Sequence, residues 1–402
     1  MSCRATPLAK SSRGSSPGSK LAGVYAVVLA FLITAGWNAN HFASVLVLLQ
    51  EHQNLSSVLV TGAYGIYALG LFPSLLIGGY VADRVGSKPA VVAGALIAAA
   101  GNALLMLLHT GAWLLIGRMV VGLGVGLVVS AGTAWAGRLR GANGTTAAGI
   151  ALTLGFMLGP VGSGIVAHLA GGQTWAVRLA FLVPVLMAVG VVVVSLWRGE
   201  GAVLSPPPAD LSATVAQSEG KALATAVPMG LWVFASITTA MVSLAGRTAF
   251  GIDAFMPGVA AVIGFSAALT VQAMGRRQGW GPGAGVVGAV CAAVGMALVG
   301  VGGAQPGWAA FVFATLFLGL GYGLCLREGL LDVNTFAPPA SRGRVIGLYY
   351  VATYIGFGLP PLIAWLTPRV GAVVPFVVVS VLAVASAAIR ARQIRSGYLV
   401  RG

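Results

Sequence analysis

The sequence predicts an all-α membrane protein of twelve transmembrane helices arranged as two six-helix bundles, and three observations predict it. Charge is scarce: 58% of the 402 residues are hydrophobic and 8% are charged, whereas a soluble domain carries about 25% charged residues. Apolar runs of about 20 residues, long enough to cross a bilayer, recur along the chain. The second half also echoes the first. A chain of this length could bury a large soluble core, but it lacks the charged surface to enclose one. Lipid is therefore its expected outer solvent.

The runs define spans 1 to 6 at about residues 24–49, 57–82, 89–108, 113–134, 146–168 and 175–197. Spans 7 to 12 follow at about residues 228–247, 254–275, 284–302, 308–331, 344–366 and 371–390. Their continuity excludes the alternating strands of a transmembrane barrel. Residues 1–23, with Arg4, Lys10, Arg13 and Lys20 among Ser, Gly and Pro, read as a disordered basic tail. The run after it is too long for a signal-peptide core of about 7–15 residues. Residues 198–227 are rich in Pro, Ser and Ala and read as a linker. It separates a bundle at 24–197 from a bundle at 228–391, and residues 392–402 form a second tail.

Short loops fix the expected orientation through their Lys and Arg content. Arg84 and Lys88, Arg138 and Arg140, Arg276 and Arg277, and Arg342 and Arg344 fall in loops on one side. Arg390, Arg392, Arg395 and Arg401 add to that side, and the other holds Arg178, Arg247 and Arg369. Both termini are expected in the cytoplasm of an inner-membrane protein.

The echo is specific. Gly122-Leu-Gly-Val-Gly126-Leu in span 4 returns as Gly319-Leu-Gly-Tyr-Gly323-Leu in span 10, 197 residues further on. The loop at Asp83-Arg84-Val-Gly86 returns as Arg276-Arg277-Gln-Gly279, and Gly159-Pro160 in span 5 returns within Gly358 to Pro361 of span 11. Parallel repeats of this kind are a transporter architecture.

The net charge of +15 and pI near 10.6 do not make a nucleic-acid binder, because the basic residues lie in separate gaps and form no continuous footprint. Cys3, Cys291 and Cys325 form neither a disulfide framework nor a metal set. There is no metal-ligand spacing, P-loop or nucleophile with a base. No enzyme activity, cofactor or metal is expected.

These residues resemble the major facilitator superfamily across nearly the whole chain. The loop Gly79-Tyr-Val-Ala-Asp83-Arg84-Val-Gly86-Ser-Lys88 is similar to the family's signature between spans 2 and 3, with Val81 and Ser87 departing from it. The resemblance implies a gating loop whose acid, Asp83, latches the halves through the start of span 11, at Arg342, Arg344 or the helix amides. Arg118 with Gly122 resembles the Arg-x-x-x-Gly pattern of span 4, which implies a role in proton coupling. Gly155, Gly159, Pro160 and Gly164 resemble the exporter motif of span 5, although Ser163 and Thr146 stand where glycines are expected. Small residues at this spacing let helices pack backbone to backbone.

Span 1 carries Trp37, Asn38, Asn40 and His41 near its middle. Asn38, His41 and Ser44 are spaced to share one helical face, which is expected to line the transport cavity. A histidine ordinarily titrates in the physiological range, which makes His41 a second candidate for proton coupling. Span 1 holds no intramembrane acid, unlike many proton-coupled exporters of the family. Tyr64, Tyr67, Asn102, Gln272, Tyr350 and Tyr354 complete the cavity candidates. Glu328 and Asp332 beside Arg327 read as a structural charge cluster at the mouth of span 10. The resemblance implies a monomeric, alternating-access secondary transporter in the lipid bilayer, exporting hydrophobic small-molecule substrates with protons as coupling ion. An uptake carrier for a small neutral or amphipathic nutrient, or a non-transporting membrane sensor, stays open as an alternative.

Overall fold

The computed structural model describes residues 17–53, 55–108, 111–169, 175–198, 217–248, 250, 253–338 and 341–401, without the side chains of residues 17–20, 51–53, 83, 142, 253, 342 and 343. No strand occurs among them. Among the described residues twelve helices are long and apolar enough to cross a membrane: Leu21–Gln50, Ser57–Ala82, Ser87–Leu107, Gly111–Gly141, Asn143–Leu169 and Trp175–Leu196, then Glu219–Arg247, Met256–Arg277, Gly283–Val301, Trp308–Phe336, Arg344–Val370 and Val373–Arg395. The chain is a multi-pass membrane protein. Residues 1–16 of the tail expected at 1–23 and residues 199–216 of the linker lie outside the described residues.

The spans alternate in direction, so span 1 starts and span 12 finishes at one end of the molecule, here the base. Within each half the packing repeats: span 3 lies on span 6 as span 9 lies on span 12. The turn between spans 2 and 3 is a single residue, Gly86, at φ 94°. This left-handed conformation favours glycine.

Four features differ from the sequence reading. Span 7 begins at Glu219, capped by Ser218, whose hydroxyl accepts from the Lys221 amide at 3.1 Å; residues 219–227 are helix, not linker. Span 1 is interrupted at His41, between helices Pro17–Asn40 and Phe42–Gln53. Span 7 changes at Thr239 from α-helix to a π-turn, Thr239–Leu244, and then a 3₁₀ turn. The two breaks are 198 residues apart, close to the repeat offset. They place irregular backbone at matching depth in both halves, tolerated inside a membrane only where protein encloses it.

The fourth concerns the C-terminus. Arg390 is not part of a solvated tail but fully buried in span 12. It donates to Asp332 at 2.7 Å and to Glu328 at 3.1 Å. Gly397, at φ 71°, turns the chain back, so that Leu399 is buried and Arg401 meets Asp332 at 2.6 Å and Glu328 at 2.9 Å. Arg327 also pairs with Glu328. Three guanidiniums thus enclose two carboxylates, and the expected charge cluster is a buried tie between spans 10 and 12 and the chain end.

Candidate functional site

Both halves bring aromatic rings to the surface they share. Phe357, in the 3₁₀ turn that interrupts span 11, is the hub. The rings of Tyr64 and Tyr67 from span 2 lie 5.2 and 5.6 Å from it, and those of Phe234 and Tyr354 lie at 5.0 and 5.5 Å. Phe156 of span 5 reaches Phe234 at 5.7 Å and Phe265 at 6.0 Å, and Tyr322 joins Phe265 at 5.3 Å. All of these rings are buried. Edge-on and offset pairs of this kind are worth about 0.5–1.5 kcal/mol each beyond area burial. The cluster joins the halves through contacts that can be remade pair by pair.

Polar groups border the rings on the first half. Asn40 accepts from the Tyr64 hydroxyl at 3.3 Å and donates to the Phe156 carbonyl at 3.5 Å. Arg118 is fully buried. It donates to the carbonyls of Ala63, Asn38 and Ala39 at 3.3, 3.3 and 3.4 Å, and its guanidinium lies over the rings of Phe42 at 4.5 Å and Tyr67 at 4.8 Å. Asn38 and Ala39 close the first segment of span 1, where helical carbonyls run out of amide partners. The arginine therefore caps the break in span 1.

Asn38, His41 and Ser44, expected to line the cavity, meet other spans of the first half in the structure. Asn102 of span 3 donates to Asn38 at 2.6 Å. His41 lies edge-on to Phe181 of span 6 at 5.9 Å, and Ser44 donates to the Pro160 carbonyl at 2.8 Å. The contacts of Asn38 and His41 lie inside the first bundle. Asn40 lies two residues, about 200°, round the helix from Asn38 and faces the rings. Asn102 thus stands behind the centre, and the Trp37 ring covers Gly162 of span 5. Tyr350 packs against Tyr349 at 6.0 Å, one turn toward the base from Tyr354. Gln272 is seven residues past Phe265 on span 8, about 10 Å further toward the base, and is half-buried outside the cluster.

The span 5 motif acts through close approach. A Cβ on Gly155 would lie 2.8 Å from Gly36 Cα, and one on Gly159 would lie 2.8 Å from the Trp37 carbonyl oxygen. At the far end a Cβ on Gly164 would meet Phe255 at 2.8 Å, so spans 5 and 8 close the halves there. Pro160 presents its carbonyl to Ser44. Beside this closure lies a groove of about 330 Å³ between Leu46, Gln50 and Thr61 of the first half and Ser243, Arg247 and Ile363 of the second.

At the base, Gly79 faces Ser130 of span 4 and Arg84 lies over Tyr80. Lys88 donates to the Arg198 carbonyl at 2.6 Å, tying span 3 to the end of span 6. Arg344 pairs with Glu219 in its own half. The side chains of Asp83 and Arg342, on which the expected latch turns, lie outside the described residues.

Sequence reasoning missed Phe156, Phe234, Phe265, Tyr322 and Phe357. A signal for two of them exists: Gly155-Phe156-Met-Leu158-Gly-Pro160 aligns with Gly356-Phe357-Gly-Leu359-Pro-Pro361 at an offset of 201 residues. That register pairs the two phenylalanines.

Two six-helix halves meeting at a buried aromatic centre, with broken helices at matching depth, define a membrane carrier. The sequence profile of the Major Facilitator Superfamily matches residues 26–359, and the chain belongs to that family of transporters; it is not an enzyme. Its fold is similar to that of a peptide transporter POT in complex with sulfate, at TM-score 0.74 and 17% identity over 97% of this chain and 100% of that one. It is also similar to a POT family transporter in complex with a thioalcohol-conjugated peptide, at TM-score 0.74 and 16% identity over 92% of this chain and 96% of that one. The multidrug resistance protein MdtL of Klebsiella pneumoniae (strain 342) is 34% identical over 64 residues, a stretch spanning 16% of this chain and 16% of that protein.

Proposed function

We propose that the protein exports hydrophobic small molecules across the cell's inner membrane, as a monomer with both termini in the cytoplasm. The aromatic cluster around Phe357 carries this reading, because a site built from rings binds apolar bodies through area and shape. Alternating access follows if the halves rock about the cluster, while the breaks at His41 and Thr239 let the outer parts of spans 1 and 7 bend. The span 5 glycines and the similarity to MdtL support export. Proton linkage is supported by the resemblance of Arg118 and Gly122 to the family's span 4 pattern, and the Asp83 loop is the proposed gate between the halves.

The test is flux in proteoliposomes with a panel of hydrophobic substrates and an imposed pH gradient. Export is expected to respond to the gradient, and Phe357→Leu to raise KM by removing the ring contacts. Accumulation of a solute with no efflux across the panel would replace this reading with uptake. A cellular phenotype that survives joint substitution of Asp83 and Arg118 would point to a sensor.

A further inference from the structure

We propose that this centre takes hydrophobic monoanions and that Arg118 holds their carboxylate; the inference rests on the export reading and names the substrate class of the same site. A guanidinium offers five N–H donors, and the protein supplies Arg118 with three carbonyl acceptors at 3.3–3.4 Å. None of the carboxylates described with their side chains lies within ion-pair distance of it. The carboxylates described with their side chains, Glu219, Glu328 and Asp332, all lie at the base of the second half, each already paired with arginine. A buried cation is costly unless an anion completes its shell.

A second observation points the same way. Tyr67, whose ring Arg118 covers, has a buried hydroxyl with no partner, and the same ring leans on Phe357. It joins the cation to the aromatic cluster. In the second half Trp232 Nε1 and the Ser236, Thr239 and Thr315 hydroxyls are also buried without partners. The indole N–H and the hydroxyls can each donate, and a carboxylate supplies lone pairs. With one cation at the centre, one negative charge is matched and a second would stay unpaired. The hydrocarbon body of the substrate takes the place of ring-to-ring contacts around Phe357. Transport of such an anion moves net charge, so an inside-negative potential drives its exit.

The experiment compares three probes of one shape, 2-naphthoate, 2-naphthamide and (2-naphthylmethyl)trimethylammonium, by retention on the full-length protein in nanodiscs and by flux from proteoliposomes. Naphthoate is expected to bind more tightly than the amide by on the order of 10- to 100-fold, the range for a hydrogen bond to a charged group. Arg118→Gln is expected to remove that preference and Arg118→Lys to restore part of it. Equal, weaker or absent binding of naphthoate relative to the amide, or an unchanged preference in Arg118→Gln, overturns the proposal. If naphthoate binds with this preference and none of the probes crosses the membrane, the export reading fails and the site assignment stands. If the amide is exported without any anion preference, export stands and the assignment fails.

Discussion

Replacing Arg390 with methionine removes the central cation of the buried tie while keeping most of its bulk. Asp332 and Glu328 are fully buried, and Arg390 holds both of them, at 2.7 and 3.1 Å. Breaking a buried pair by removing one partner costs about 3–5 kcal/mol, because a charge is left without its counter-charge. Arg401 and Arg327 stay within reach of the same carboxylates, so the lower part of that range is expected. A folding unit of about 150–250 residues loses roughly 2–4 °C per kcal/mol, which places the fall in Tm at roughly 6–12 °C. Arg401→Ala, at the partly exposed rim, should cost clearly less. The assay is thermal unfolding of the purified protein in one detergent, followed by size-exclusion retention. Arg390→Lys, which keeps a cation beside both carboxylates, should lose less than Arg390→Met. An Arg390→Met protein as stable as the parent, or an Arg390→Lys protein no more stable than Arg390→Met, would refute the reasoning.

Three further outcomes follow from the geometry. Gly155→Val should push spans 1 and 5 apart at Gly36 and cost about 1–3 kcal/mol through overpacking, read as a lower Tm and weaker membrane expression. His41→Ala should leave pH-gradient-driven flux in place, since its ring faces Phe181 and not the second half; abolished flux with intact folding would return His41 to the coupling path. Removal of residues 398–402 should lower thermal stability without changing the apparent affinity for substrate, because among the described residues Leu399 and Arg401 contact the second half; a changed affinity in flux assays would contradict that separation.

Scarce charge and twelve apolar runs sufficed to determine a twelve-helix membrane protein, because lipid tolerates few alternatives to the helix. Order along the chain also showed the repeat, through Gly122 and Gly319. What lay beyond the sequence was rotation about each helix axis. Asn38 and Asn40 are two residues apart and equally polar, yet one meets span 3 and the other meets the aromatic rings. No pattern within span 1 separates them, since both of its faces are buried by protein and its apolar residues mark no lipid side. The same holds for the rings. Phe234, Phe265 and Tyr322 lie within largely apolar stretches of their spans, and only packing of the two halves selects them from the other aromatics. Arg390 shows the converse: at the end of an apolar run it reads as a solvated basic residue, and a partner 58 residues away in sequence draws it inside. Composition decides what a helix is immersed in, and the tertiary structure decides which way each side chain looks.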